Sequence, residues 1–275
     1  GSIVVALLVL TTAGWRYIQA SKHNSASSTT QPDKPLLLGL GDSVASGAGL
    51  YTASDASICE RNTEAYPYVL ADTLGSTAQL LACSGASIQN GVLHDQLTAT
   101  ATLPSQVGKL PTTPPQLITL TIGANDVKWS SYIVSCATAN CGSDKDTADL
   151  SSAMTTLSKD LSSLIARLTA MYPSAHIIVT GYYRLFPETN SLCKNPSLLS
   201  DTELAWLDLM TTQLNSSIQD SLSSYPPAQY IEPDFSGHEI CTSDPWIMDI
   251  GEKAPYHPNE VGQHKIAEQI YSKVQ

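Results

Sequence analysis

From Pro35 to its C-terminus the chain alternates short apolar runs with stretches of helical period, and this confines it to few folds. The runs cover 36–40, 78–82, 117–122, 176–180 and 229–231. Between them Leu150, Met154, Leu157, Leu161, Leu164, Leu168 and Met171 recur at steps of three and four, as one face of a helix requires. Leu204, Leu207, Leu214, Ile218 and Leu222 repeat the pattern, and Ile266, Ala267, Ile270, Tyr271 and Val274 form one face of a last helix. Strands interleaved with helices need crossover connections, which make neighbouring strands parallel and cover both sheet faces. The expectation for 35–275 is an α/β domain of three layers, α/β/α, around a central parallel sheet of about five strands. The stretches 130–147 and 185–199 are irregular and carry cysteines, so both read as stapled surface loops. No internal repeat is visible.

The residues before Pro35 have a different character. An apolar run at 3–10 is shorter than the ~20 residues of a membrane span. Trp15, Arg16 and Tyr17 after it resemble an interfacial anchor. The next stretch is polar, rich in Ser and Thr, and without apolar period. The segment 1–20 is therefore expected to be a membrane anchor or signal remnant, and 21–34 a flexible linker. Arg16, Lys22 and His23 follow the apolar run, against the usual cytoplasmic bias of basic residues. The linker and the cysteines favour the opposite placement, outside the cytoplasm.

Cys59, Cys83, Cys136, Cys141, Cys193 and Cys241 are even in number and form no Cys-x-x-Cys pair. Zinc-ribbon and thioredoxin-like readings fail on spacing, whereas three disulfides in an oxidising compartment fit. Spacing alone leaves the pairing open. The net charge of −11, with only 14 Lys plus Arg, repels phosphate backbones and excludes a nucleic-acid partner.

Four short blocks carry chemistry. In Gly41-Asp42-Ser43 the first strand ends on small residues that let the chain turn and leave a hydroxyl exposed where open parallel sheets place their sites. Asp42 can brace that turn, and the Ser43 N–H can face a developing oxyanion. Cys83-Ser84-Gly85-Ala86 follows the second run, and its glycine lets a backbone N–H approach a ligand. In Gly123-Ala124-Asn125-Asp126, Asn125 ends the third run with an amide that can donate to negative oxygen. In Ala254-Pro255-Tyr256-His257-Pro258-Asn259, a histidine flanked by restrained backbone precedes the last helix. Taken singly, each block is an ordinary turn or cap. Dinucleotide and Walker loops are excluded, because no glycine follows Gly41 at the required spacing and no Gly-Lys-Ser/Thr is present. His23, His94, His176, His238 and His264 read as ordinary surface or core residues. No His-x-x-x-His or Glu-x-x-His pair points to a metal.

In combination the blocks say more. Ser, Gly, Asn and His in that chain order resemble the SGNH (GDSL-like) hydrolase family over the chain from Leu36 to its end. The resemblance implies a flavodoxin-like fold and a carboxylic-ester hydrolase, a lipase or esterase acting on lipids or acylated glycans. It implies Ser43 as nucleophile, His257 as general base, and an oxyanion hole made by the N–H groups of Ser43 and Gly85 with the Asn125 side chain. Many family members carry Asp three residues before the histidine, where this chain has Ala254. A Streptomyces-type branch is similar in lacking it and uses a backbone carbonyl. The expectation is a Ser43–His257 dyad helped by the Ala254 carbonyl, with Asp249 or Glu252 as the alternative. The same branch implies the disulfides Cys59–Cys83, Cys136–Cys141 and Cys193–Cys241.

The enzyme expected from these residues is a monomer, secreted or anchored outside the cell membrane, without metal or organic cofactor. Two rival functions keep the same fold: an envelope acyltransferase using the same acyl-enzyme, and a non-catalytic binding module. Tyr51, Trp129, Tyr132, Tyr182, Tyr183 and Phe186 lie near the blocks as candidates to line an acyl site. Asn215 opens a glycosylation sequon inside a helical pattern, which gives it little weight.

Overall fold

The computed structural model describes residues 34–51, 58–187 and 199–275. Strand β1 (Leu36–Gly41) feeds a single turn of helix, α1 (Ser43–Ser46), and then α2 (Tyr66–Thr73) and β2 (Thr77–Leu80). A small hairpin of β3 (Gln96–Leu97) and β4 (Thr102–Leu103) precedes β5 (Leu117–Thr121). The chain continues through α3 (Trp129–Thr138), α4 (Asp144–Met171), β6 (His176–Thr180), α5 (Asp201–Asp220), β7 (Ala228–Ile231) and α6 (Glu260–Val274).

The main sheet has five strands in the order β2-β1-β5-β6-β7, and every neighbouring pair is parallel. Helices α2 and α6 pack together, as do α4 and α5. β5 is buried along its whole length and β1 nearly so, which accounts for their unbroken apolar character in a sheet covered on both faces. α4 and α5 each open with a capping box, Ser143 with Asp146 and Ser200 with Glu203. From β1 the chain winds first towards β2 and then returns to the other side of β1 as β5. This reversal opens a crevice between the carboxyl ends of β1 and β5, where α/β sheets bind ligands.

The expected strands lie within a residue or two of the observed ones. The stretch 130–147 departs more. Most of it is helical, because Trp129, Ile133 and Cys136 recur at helical spacing and are buried. Ser and Thr between them hid that short period. Cys136–Cys141 and Cys59–Cys83 are disulfides, as the resemblance implied. Cys241 is disulfide-bonded too, while Cys193 lies outside the described residues. So do the expected anchor and nearly all of the linker, and most of the loop at 185–199. Among the described residues no helix is long and apolar enough to cross a membrane.

Candidate active site

The site is built on the crevice between β1 and β5. β1 ends at Gly41, whose φ of +130° and whose approach to Thr121 leave no room for a side chain: a Cβ there would sit 2.1 Å from the Thr121 carbonyl oxygen. The buried Gln106 amide clamps Gly41, accepting from its N–H at 2.9 Å and donating to its carbonyl at 2.7 Å. Asp42 N–H donates across the crevice to the Thr121 carbonyl at 2.9 Å. Asp42 then caps α1, its Oδ1 accepting from the Val44 N–H at 2.9 Å. Ser43 follows as the first helical residue, with its hydroxyl in the crevice.

His257 reaches the same point from the far end of the chain. The strip 246–259 folds back on itself through Met248 N–H to the His257 carbonyl (2.8 Å) and Tyr256 N–H to the Met248 carbonyl (3.0 Å). Tyr256 adopts φ +69°, which turns the chain so that His257 faces inward. Its Nε2 lies 2.7 Å from Ser43 Oγ, across 214 residues of sequence. Its Nδ1 lies 3.0 Å from the Pro255 carbonyl. A carbonyl can only accept, so Nδ1 carries the hydrogen and Nε2 presents its lone pair to the serine hydroxyl.

The Pro255 carbonyl is thus the acceptor in hydrogen-bond distance of the ring, one residue after the expected Ala254, whose carbonyl also acts on the imidazole. The Ala254 carbonyl also accepts the main-chain N–H of His257 at 3.3 Å. The left-handed turn at Tyr256 is what brings the Pro255 carbonyl under the ring. Asp249 and Glu252 do not complete a triad. Glu252 Oε2 accepts from the Asp249 N–H and Asp249 Oδ1 from the Ile250 N–H, so both carboxylates serve their own turn. Burial holds the His257 imidazole below its ordinary value of 6.5, opposed by the Pro255 and Ala254 carbonyls and by the charge of Glu60. The ring is therefore a neutral base at neutral pH.

Asn125 lines the same cleft as Ser43 and His257, and the Gly85 turn is bonded to it. Gly85 has φ +77°, open to glycine, and its turn is held by Gln96, which donates to the Ser84 carbonyl at 2.8 Å. Asn125 Nδ2 donates to the Ala86 carbonyl at 2.9 Å, fixing the amide plane beside that turn. The backbone N–H groups of Ser43 and Gly85 meet no acceptor among the described residues.

Comparisons with known proteins place the chain in a family. The model of the GDSL-like Lipase/Acylhydrolase family matches residues 40–265, most of the chain. The chain belongs to that family. Lipase 1 of Streptomyces coelicolor is 30% identical over 236 residues, covering 82% of this chain and 81% of the relative. The solved phospholipase A1 of Streptomyces albidoflavus superposes with a TM-score of 0.69 at 26% identity, covering 88% of this chain and all of that one. An extracellular lipase of Streptomyces rimosus gives a TM-score of 0.70 at 24% identity over 87% of this chain and 98% of its own, a likeness of fold. The GDSL-like chain is a carboxylic-ester hydrolase.

Around Ser43 and His257, this GDSL-like domain forms a cleft lined by Trp129, Ile133, Tyr183, Leu185 and Tyr256. Its volume is about 60 Å³, room for a few water molecules. Of the aromatics expected there, Trp129, Tyr182 and Tyr183 line the cleft. Tyr132 packs edge-on against Trp206 with centroids 5.5 Å apart, Phe186 tilts against Tyr256 at 6.0 Å, and Tyr51 is exposed.

Several supporting residues escaped the reading of the sequence. Gln106 has no neighbourhood that marks it. Gln263 was legible: it falls on the buried face of α6 with Ile266, Ala267 and Ile270, where a polar residue needs a reason. Its amide accepts from Tyr66 N–H (2.8 Å) and donates to the Val44 carbonyl (2.9 Å), tying α6 to the nucleophile turn. Asp126 Oδ1 accepts from the Ile88 N–H at 3.0 Å, and burial pushes its carboxyl up to about 7. Glu64, Glu260 and His264 bring three possible metal ligands within 4.8 Å of one another at the surface. His264 Nε2 lies 3.1 Å from Glu64 Oε2, so a hydrogen bond at the surface accounts for the grouping.

Proposed function

We propose that this enzyme cleaves lipid carboxylic esters outside the cytoplasm through an acyl-enzyme on Ser43. The observation that carries the reading is the 2.7 Å contact between Ser43 Oγ and His257 Nε2 at the sheet's reversal point. His257 takes the serine proton as Oγ attacks the ester carbonyl. Negative charge develops on the carbonyl oxygen, and the N–H groups of Ser43 and Gly85 with the Asn125 amide stand ready to receive it. The tetrahedral intermediate collapses as the imidazolium returns its proton to the leaving alcohol. Water, activated by the same ring, then releases the acid and frees Ser43.

The Pro255 carbonyl keeps the productive tautomer but supplies no full negative charge for the imidazolium. Burial of His257 also disfavours that charged form. The reading therefore places much of the stabilisation on the oxyanion donors. The cleft wall of Trp129, Ile133 and Leu185 suits an acyl chain, and the similar phospholipase A1 and lipases favour lipid esters over acylated glycans. Disulfides favour an oxidising compartment, secreted or tethered.

The decisive experiment incubates the protein with a p-nitrophenyl ester series and traps the intermediate for mass spectrometry. The expected result is an acyl adduct on the peptide carrying Ser43, absent from Ser43→Ala. Ester turnover that survives in Ser43→Ala at the wild-type rate would refute the reading.

A further inference from the structure

We infer that Tyr182 is a positioning residue for the oxyanion hole, its hydroxyl locking the Ser43 turn to the Asn125 turn. The inference rests on the acyl-enzyme reading above. The hydroxyl does two things at once. It donates to Asp42 Oδ2 at 2.6 Å and accepts from the Ala124 N–H at 3.0 Å. Asp42 immediately precedes Ser43, and Ala124 immediately precedes Asn125. One oxygen atom thus joins the two backbone turns that present donors to the substrate.

The phenol is planted from elsewhere. Tyr182 lies just beyond the end of β6, and the buried Asn215 amide of α5 holds both its N–H (2.8 Å) and its carbonyl (2.7 Å). The hydroxyl position is therefore set by α5 and β6, independently of the turns it joins. Asp42 is almost wholly inaccessible, and its other oxygen is committed to the Val44 N–H. Removing the Tyr182 hydroxyl leaves a buried carboxylate oxygen and a backbone N–H without partners. The turns must then shift, or water must enter, and either moves the Ser43 N–H relative to the Asn125 amide. A cradle for transition-state charge tolerates such displacement poorly.

The pair also has a titration signature. Burial pushes the Asp42 carboxyl up to about 6, and the bond from Tyr182 works against that rise. The titratable groups that face Asp42 are Tyr66, Tyr182, Tyr183 and Asp126. Loss of the hydroxyl raises Asp42 further, so the acid limb of kcat moves to higher pH. A side chain that merely filled space would leave that limb where it is.

The test is Tyr182→Phe in the full chain, with active sites counted by stoichiometric labelling with an activated phosphonate ester. The expected result is a fall in kcat per labelled site of about tenfold or more, with KM nearly unchanged. Affinity for an alkyl boronate, whose tetrahedral adduct uses the same donors, falls in parallel, and the acid limb shifts upward. Where Tyr182→Phe does not fold, Asp42→Asn removes the same charge-assisted bond from the other side and is expected to give the same kcat loss. Wild-type kcat per site, boronate affinity and acid limb in the folded variant overturn the inference. A wild-type protein that takes no phosphonate on Ser43 overturns the acyl-enzyme reading and this inference with it. Labelling of Ser43 with an indifferent Tyr182→Phe overturns the inference alone.

Discussion

The two halves of the dyad are held in different ways. Around Ser43, buried side chains from distant segments converge on a few backbone groups: Gln106 on Gly41, Gln263 on Val44, Tyr182 on Asp42. Around His257 the supports are mostly local backbone bonds, with Tyr183 adding one bond to the Tyr256 carbonyl at 2.8 Å. The preceding turn at 249–253 is exposed. The difference shows where precision is needed. The donors beside Ser43 must meet developing charge within a few tenths of an ångström, so their backbone is pinned from several sides. The imidazole needs a tautomer and an approach, which one carbonyl and one left-handed turn supply.

The largest effects should come from the dyad itself, where both halves act as a unit. Ser43→Ala and His257→Ala should each lower kcat by ~10⁴-fold or more, and the double variant should be little worse than either single one. Steady-state kinetics on the three proteins checks this. Losses that multiply would mean the two side chains act separately, despite their 2.7 Å contact. Neither change should disturb folding, since Ser43 Oγ makes its bond to His257.

Next in size is the oxyanion donor. Asn125→Ala should cost ~10²- to 10³-fold in kcat with a smaller change in KM. The Ala86 carbonyl loses its partner in the same variant, so Asn125→Asp is a useful companion. It keeps the volume while setting an acceptor, and at neutral pH a charge, where a donor is needed. Its kcat should fall at least as far. Recovery of activity in the Asp variant would exclude a donor role for residue 125.

The contrast between the halves is sharpened by stability. Gln106→Ala leaves the N–H of Gly41 unpaired in a buried setting, while the Gly41 carbonyl keeps the Cys83 N–H at 3.0 Å, and should cost about 2 kcal/mol in urea unfolding. Glu252→Gln in the exposed turn before His257 should cost little, within about 0.5 kcal/mol. Equal costs would mean that the nucleophile turn is no more tightly held than the histidine turn.

How much of this could be read from the chain follows from how local each signal is. The sheet was legible because buried parallel strands announce themselves as unbroken apolar runs, and Ser43, Gly85, Asn125 and His257 because each sits in a compact block at a strand or helix end. What was hidden depends on partners far away in sequence. Gln106 matters only because Gly41 lies beside it in space, 65 residues away, and Tyr182 only because its hydroxyl lands between Asp42 and Ala124. The part of the Pro255 carbonyl beside that of Ala254 was hidden because a positive φ at Tyr256 is not encoded by any residue type that favours it. The helix within 130–147 was missed because its apolar period spans barely two turns.

The pH profile separates the halves by a smaller margin. His257 sits below 6.5, so its base form persists as pH falls through that value, and Asp42 gives up its charge near a pH of about 6. Activity should therefore hold down to about pH 6 and fall below it, a midpoint under the ordinary histidine value. A midpoint above 6.5 would show that a negative charge, rather than the Pro255 carbonyl, governs the ring. For stability only the histidine runs the same way. Protonation of a histidine whose folded pKa is lowered favours the unfolded chain, so this contribution is lost as pH drops through 6.5 towards the lower folded value. The carboxyls of Asp42 and Asp126, raised to about 6 and about 7, act in the opposite sense over the same range, so the difference in urea midpoint between the wild type and His257→Ala from pH 5 to 7 isolates the histidine contribution.

The smallest effect should come from restoring what the family usually has. Ala254→Asp returns a carboxylate to the position three residues before the histidine. The geometry argues that it cannot help. Nδ1 already has its acceptor in the Pro255 carbonyl at 3.0 Å. The Ala254 methyl is packed towards Gly49, where an added Cβ would lie only 2.3 Å from it, so a larger side chain at 254 meets the backbone of the loop after α1. The substitution should change kcat by no more than about threefold, in either direction, and slightly lower the urea midpoint. A gain of tenfold or more would mean that the new carboxylate had displaced the Pro255 carbonyl from the ring. In that case the histidine half, not the nucleophile half, limits the wild-type enzyme, and the tight pinning around Ser43 serves folding more than catalysis.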